Sequence, residues 1–495
     1  MISKIKKFVL NHKAIVLILG IAVFMRTAMA LELFMYSHDQ DLLSWFVKDI
    51  VVNKNLRLIG QETSVHGVFI GPLFYYAAVP FYLLWGMNPV GGIALSTLIG
   101  AASCLSIFYV FSKAFSRRAG YIGMLLYAVS FYVVMTDREV VPTTPVILWS
   151  IWFLYALHLF NEGKTKSGLL LSGILVGLIW HLNLALLLVT PLLLISFFQS
   201  KNRFKLRDLK WPLTAFFGLN APLILFELRH QFSQVTAVVT QFGAPAAFPQ
   251  SHADKFDRLI QLLEKNLGSI WGTSLVDIPR RPVLYALPIL ILILIYTKKI
   301  SGKMAVLIVT WIALFLFFFT VNSLNLSEYY LNGLVVVFLL ILTLVLEGLW
   351  TRAIYRPLAI LFIAIYAWVN ISTFFNQPIN RSGYLDRTAI INEIGRDAKL
   401  HGYPCVAVSY ITEPGSNFGY RYLFYRNNVK ANLPKTEAPV YTIVFPHTLV
   451  GKIDTSFGAL GLLYPDYQKY TTEGIEKSCS GPDQNLSEPL FGYTE

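Results

Sequence analysis

The densest chemistry in the chain lies in residues 37–41, Ser37-His38-Asp39-Gln40-Asp41, where two carboxylates two positions apart follow a long apolar run. Carboxylates at the mouth of a membrane helix are costly and are functional more often than decorative; an ordinary solvated loop is the competing reading. On a helix Asp39 and Asp41 would point about 200° apart, whereas in an extended loop they would share a face. One carboxylate suits a general base for a hydroxyl that gains acidity as it attacks; the other suits a metal ligand or an orienting partner. A second acidic cluster, Asp137-Arg138-Glu139, stands before Pro142 and Pro145. Here the competing reading is local ion pairing of Arg138. Two acidic clusters on separate helices could hold a divalent cation through oxygen ligands. No pair has diagnostic spacing, so the metal stays open, with Asp41, Asp137 and Glu139 as its candidate ligands and no other cofactor indicated.

Cations and amides supply the complement. Glu227-Leu228-Arg229-His230 closes an apolar run. An arginine at that depth can meet a phosphate bidentately and a histidine can add a donor, against a plain snorkelling role. His181 and Asn183 form another polar point between apolar runs, as suited to capping a helix as to touching a ligand. Ser327-Glu328-Tyr329-Tyr330 could close a site, although interfacial tyrosines usually form an aromatic belt. Arg26, inside the first apolar run, needs an anionic partner or a wet pocket.

The elements that must position these groups are membrane helices. Of 495 residues 55% are hydrophobic and 14% charged, and the mean hydropathy is +0.56, far too apolar for a soluble domain. The net charge of +13 lies mainly in short loops, an orientation signal rather than a nucleic-acid footprint. Three cysteines make no disulfide framework; Cys104 is in an apolar run, and Cys405 and Cys479 could pair if the C-terminal region lies outside the cytosol. Arg26 and the lack of a small-residue cleavage pattern argue for a retained first helix rather than a signal peptide.

Apolar runs near spanning length occur at 14–35, 69–86, 90–111, 119–135, 142–160, 168–181, 182–198, 211–228, 282–297, 303–321, 329–349 and 357–375. Those at 168–181 and 182–198 read as a tight hairpin. The basic places (Lys4, Lys6, Lys7 and Lys13; Lys113 to Arg118; Lys164 and Lys166; Lys201 to Lys210; Lys298 to Lys303; Arg352 and Arg356) all fall on the cytoplasmic side if residues 69–86, rich in proline and glycine, do not cross. The expected fold is an all-α polytopic membrane protein of the inner membrane. It has about eleven transmembrane helices plus juxtamembrane helices, a cytoplasmic N-terminus, and a small C-terminal α/β domain outside. Residues 1–375 form the membrane domain, with external loops at 36–89 and 229–281, and 376–495 form the soluble domain. In that domain a helix is expected at 385–400 and strands at 405–411 and 440–445. The chemistry is then extracytoplasmic.

The acidic opening of the first external loop, Gly71-Pro72-Leu73-Phe74-Tyr75-Tyr76, the acidic group at 137–139 and Phe226-Glu227-Leu228-Arg229-His230 together resemble the GT-C glycosyltransferases. The branch they resemble holds the protein O-mannosyltransferases and lipid A aminoarabinose transferases. The resemblance implies inverting transfer of a sugar from a polyprenyl-phosphate donor to a glycan, lipid or protein acceptor. It places the base at Asp39, with Asp41 as alternate, and the second acidic motif at Asp137 and Glu139. Phosphate contacts fall to Arg229 or His230. The chain departs from the aminoarabinose-transferase pattern where Gly71-Pro72 replaces Lys-Pro, which leaves His66 or Arg229 to substitute for a phosphate-binding lysine. Two other classes fit the composition: a transporter or flippase of lipid-linked sugars, and a polymerase or ligase of polyprenyl-linked glycans.

Overall fold

The computed structural model describes residues 12–200, 205–243, 251–272, 280–322, 327–432, 434 and 437–481. The basic residues Lys4, Lys6, Lys7, Lys201 and Arg203 lie outside them. The membrane part begins with α1 (Lys13–Thr27). After it come two helices of the first loop, α2 (His38–Val51) and α3 (Leu73–Leu84). At 12 residues, α3 is about 18 Å long, well short of a hydrocarbon core of about 30 Å. The bundle continues through α4 (Gly91–Ala114), α5 (Arg117–Val129), α6 (Phe131–Arg138), α7 (Val146–Asn161) and α8 (Thr165–Leu182). Then come α9 (Pro191–Gln199), α10 (Lys210–Arg229), α11 (Ser233–Gly243) and α12 (His252–Trp271). It closes with α13 (Arg280–Tyr296), α14 (Gly302–Val321), α15 (Val335–Thr351) and α16 (Arg356–Asn376). Among the described residues six helices are long and apolar enough to cross a membrane, or seven if the bent pair α5 and α6 counts as one span. The protein is an integral membrane protein.

Three apolar runs fold less simply than their hydropathy suggests. The run at 14–35 stays helical only to Thr27 and then passes through turns. The run at 182–198 is a 3-10 segment, Leu184–Val189, followed by the nine-residue α9. The run at 119–135 is broken at Ser130, where α6 leaves α5 at 65°.

That break is built. Bending a helix strips backbone groups of their partners, and here other side chains take them up. Arg26 of α1 donates to the carbonyls of Tyr127 (3.4 Å) and Ala128 (3.3 Å), and the amide of Phe131 donates to Asn370 Oδ1 of α16 at 2.7 Å. Arg26 is fully buried, and its charge is met by Asp137 of α6, whose Oδ2 accepts from Nε at 2.8 Å and Nη2 at 2.6 Å. The Tyr127 hydroxyl also lies within 2.9 Å of both carboxylate oxygens. A Cβ at Gly100 would sit 2.5 Å from Arg26 Nε, so α4 can pass this pair only without a side chain.

The C-terminal region forms the expected α/β unit. Helix α17 (Tyr384–Leu400) precedes β1 (Val406–Thr412), α18 (Arg421–Arg426), β2 (Ala431–Asn432), β3 (Val440–Phe445), β4 (Thr455–Phe457), β5 (Leu460–Leu463) and α19 (Thr472–Cys479). The sheet order is β2-β1-β3-β5-β4, parallel about β1 and antiparallel at β3-β5-β4. Cys405 and Cys479 form a disulfide. The unit is not an appendage held by its linker: Leu42, Phe46, Tyr75 and Tyr82 of the first loop share one apolar core with Ile391, Val408, Leu423 and Leu462.

Because the Arg26–Asp137 pair is buried on both sides, removing either partner strands a charge and is expected to cost about 3–5 kcal/mol. Unfolding in detergent of Arg26→Leu, Asp137→Leu and the double variant measures it. The double variant should lose much less than the sum of the singles; simple additivity would mean the groups act separately.

Candidate active site

Asp39 stands in the first turn of α2, so the helical alternative holds and Asp39 and Asp41 diverge. Ser37 starts the helix, with its amide and hydroxyl both bonded to Gln40 Oε1 at 2.9 Å. Asp41 turns inward, where its Oδ1 accepts from the Tyr36 hydroxyl (3.1 Å) and the Tyr422 amide (3.0 Å). It therefore anchors the C-terminal unit to the first loop. Asp39 turns the other way and accepts from Gln61 Nε2 at 3.1 Å. The Tyr75 hydroxyl donates to Gln61 Oε1 at 3.0 Å, which leaves the amide nitrogen to face the carboxylate. Tyr75 is itself fixed by stacking on Phe46 at 4.2 Å.

The tripeptide at the end of α6 divides three ways. Asp137 is engaged by Arg26 and Tyr127 inside the bundle. Arg138 donates to the carbonyls of Met25, Ala28 and Met29 at 2.8–3.1 Å, closing the C-terminal end of α1 rather than pairing with its neighbours. Glu139, just past the helix, lies near enough to Asp39 to feel its charge. Its side chain is accessible, yet protein crowds it from several sides, and that desolvation together with the charge of Asp39 pushes its carboxyl up to about 7. The carboxylates that meet are thus Asp39 and Glu139. Asp41 and Asp137, expected to join Glu139 around a cation, are drawn off by other partners. Among the described residues no three His, Cys, Asp or Glu side chains gather as a metal site.

Residues 60–70 fold back on themselves, with Gly60 N–H on the Ile70 carbonyl (2.6 Å) and Ile70 N–H on that of Gln61 (3.0 Å). This loop ties the Asp39 end to the ends of distant helices. The Phe69 amide donates to Gln234 Oε1 at 2.7 Å, the Phe69 carbonyl accepts from Trp180 Nε1 at 3.0 Å, and Ser64 and Tyr330 share a hydroxyl bond of 2.6 Å. Arg229, His230, His181 and Tyr329 accordingly lie at the Asp39 end of the bundle. Arg229 is exposed at the end of α10. His230 stacks on Phe226 at 4.0 Å with Nδ1 2.9 Å from its carbonyl. His66, at the exposed tip of the loop, has Nδ1 2.9 Å from Glu62. Tyr329 packs on Tyr330 at 4.4 Å, and its carbonyl is 3.5 Å from Asn183 Nδ2.

His181 is a buried suture. Nε2 lies 2.9 Å from the Leu219 carbonyl and Nδ1 accepts from the Leu73 amide at 3.4 Å, which defines the neutral Nε2–H form. Its ring lies where a Cβ of residue 71 would go, at 2.0 Å from Nδ1. Glycine before Pro72 is therefore a packing requirement.

Sequence reasoning overlooked Gln61 and Arg57, and saw Tyr75 only as part of a motif. Arg57 is buried, lies 4.2 Å over the Phe46 ring and 3.4 Å from Asp49, and accepts the Tyr76 hydroxyl on its carbonyl at 3.0 Å. A charged residue and an amide among the aromatics of a supposedly solvated loop were the available signal.

Residues 70–226 match the family model for dolichyl-phosphate-mannose-protein mannosyltransferase. The crystal structure of ArnT from Cupriavidus metallidurans bound to undecaprenyl phosphate superposes at a TM-score of 0.59 with 11% identity, over 92% of this chain and 98% of that one. The chain shares the fold of that protein. The apo form of the same ArnT gives 0.58 with the same identity and coverage. The Archaeoglobus fulgidus oligosaccharyltransferase tethered to an acceptor peptide aligns at 0.44 and 12% identity, over 88% of this chain and 69% of that one. No curated protein matches by sequence. The matched family segment opens at the Gly71–His181 contact and ends at Phe226, so it contains Glu139 but neither Asp39 nor Arg229.

Gly71→Ala must displace the His181 ring and is expected to cost about 1–3 kcal/mol. The readout is the unfolding temperature in detergent. His181→Ala in the same chain should recover part of the loss; an unchanged Gly71→Ala protein would show that the ring yields freely.

Proposed function

We propose that the protein transfers a sugar from a polyprenyl-phosphate donor to an acceptor hydroxyl, with inversion at the anomeric carbon and Asp39 as general base. The observation that carries this reading is the orientation of Asp39. It is a half-buried carboxylate with one oxygen held by Gln61, its other oxygen left for a substrate proton, and the charge of Glu139 close enough to interact with it. The GT-C fold and the match to a lipid-phosphate mannosyltransferase family model support the donor class, as does the bound undecaprenyl phosphate of the ArnT structure. Reaction outside the cytoplasm is supported by the Cys405–Cys479 disulfide in a unit packed on the same loop as Asp39, since disulfides persist in oxidising compartments. The positions of the basic loops support the same side and a cytoplasmic N-terminus.

In this mechanism the acceptor hydroxyl gives its proton to Asp39 as its oxygen bonds to the anomeric carbon, and the sugar–phosphate bond breaks on the opposite side. Negative charge collects on the departing phosphate. Arg229, exposed at that end of the bundle, is the cation assigned to it, with His230 or His66 as further donors. A donor already placed where charge develops lowers the barrier without reorganisation. Tyr329 and His181 shape the surrounding wall.

Incubating the purified protein with a panel of polyprenyl-phosphate sugars and an acceptor, and measuring released lipid phosphate, tests the reading. Asp39→Asn should reduce turnover by about 10²- to 10⁴-fold with an unchanged unfolding profile; near-normal turnover would remove Asp39 from the role. Glu139 is protonated below about 7 and charged above it, and its charge strengthens the neighbouring base. Turnover should therefore rise as pH increases through that value, and the rise should flatten in Glu139→Gln. A pH profile unaffected by that substitution would break the link between the two carboxylates.

A further inference from the structure

At the other end of α8 from His181 lies a cleft of about 540 Å³ lined by Lys166, Ser167, Leu170, Arg207, Asp208, Lys210, Trp211 and Pro212. Residues 166 and 181 are separated by about 23 Å along a helix of 1.5 Å per residue, so the cleft sits toward the opposite membrane surface from Asp39. Three cations face one carboxylate. Lys166 Nζ is 3.2 Å from Asp208 Oδ1, and Asp208 also accepts the Lys205 amide at 3.1 Å. Lys210 Nζ stands 5.4 Å over the Trp211 ring. Arg207 adds a further positive charge that acts on Asp208. The amino ends of α8 and α10 both open here, and a helix amino end favours negative charge. Below the cleft the surface turns apolar, with Trp211 64%, Leu213 49% and Phe217 55% exposed along α10. A charged cradle at headgroup depth above an apolar helix face matches a ligand with an anionic head and a hydrocarbon tail.

We infer that this cleft binds the phosphate headgroup of an anionic glycerophospholipid, with Arg207 and Lys210 on the phosphate, Trp211 at the glycerol level and the acyl chains along α10. Basic pockets between transmembrane helices recognise anionic headgroups in this way. Trp211 fits the interfacial position that indole prefers. The site is separate from the sugar-transfer reading and stands or falls without it. A soluble phosphate offers the same head chemistry but gains nothing from the apolar face, which is why a lipid is favoured.

The test uses the full chain in neutral detergent, titrated with phosphatidylglycerol, phosphatidylcholine, or glycerol 1-phosphate, and followed by native mass spectrometry and by unfolding temperature. Phosphatidylglycerol should bind roughly ten- to thirtyfold more tightly than phosphatidylcholine, the ratio that two basic contacts supply, and the preference should shrink with added salt. Arg207→Ala with Lys210→Ala should abolish it. Ser167→Asp, which adds a negative charge to the cleft and removes no contact, should do so as well if the double variant fails to fold. Equal binding of the two lipids, a preference retained in the variants, or full stabilisation by glycerol 1-phosphate alone would overturn the proposal.

Discussion

The ion pair between Arg26 and Asp137 is the constraint on which the site depends. A guanidinium and a carboxylate with no access to water stay charged only in contact with each other and with other polar groups. Here they also fill the gap left by a helix broken at 65°. If α5 and α6 ran straight, the carbonyls of Tyr127 and Ala128 would bond within the helix and Arg26 would have less to hold. Because they bend, the pair locks α1 against α6, and the next two residues inherit fixed positions. Arg138 closes α1, and Glu139 emerges within reach of the charge of Asp39. One buried charge pair thus helps set where Glu139 leaves the end of α6.

The second carboxylate is placed by a different device. Asp39 and Asp41 are separated by the rotation of a helix turn, so Asp41 anchors inward while Asp39 turns to Gln61. Asp41 fastens the C-terminal unit through the amide of Tyr422, and the shared apolar core continues that attachment. The soluble unit is therefore fastened to the same short helix that carries Asp39. Gln61 and Tyr75 complete the arrangement by fixing the rotamer of Asp39 from a loop whose tip reaches Tyr330.

The histidines show how the same residue type divides by surroundings. His181 has both ring nitrogens bonded to backbone and a glycine packed against its face, so it holds helices together. His66 and His230 lie at loop and helix ends, where a ligand can approach. Position 71 carries glycine, and the His181 ring occupies the room that a side chain there would need.

The sequence alone determined the membrane class, the helical apolar runs and a C-terminal α/β unit with strands expected at 405–411 and 440–445, and it offered Asp39, Asp41, Asp137, Glu139 and Arg229 as candidates. These follow from local quantities: hydropathy, period, and charge at the ends of apolar runs. It did not determine which acids meet. Asp137 and Glu139 are two positions apart and look equivalent in the chain, as do Asp39 and Asp41. Their fates diverge because a helix turn points neighbours in different directions and because Arg26, 111 positions away, captures one of them. Only tertiary structure decides such choices, since the energy of a buried charge depends on partners that sequence distance does not reveal.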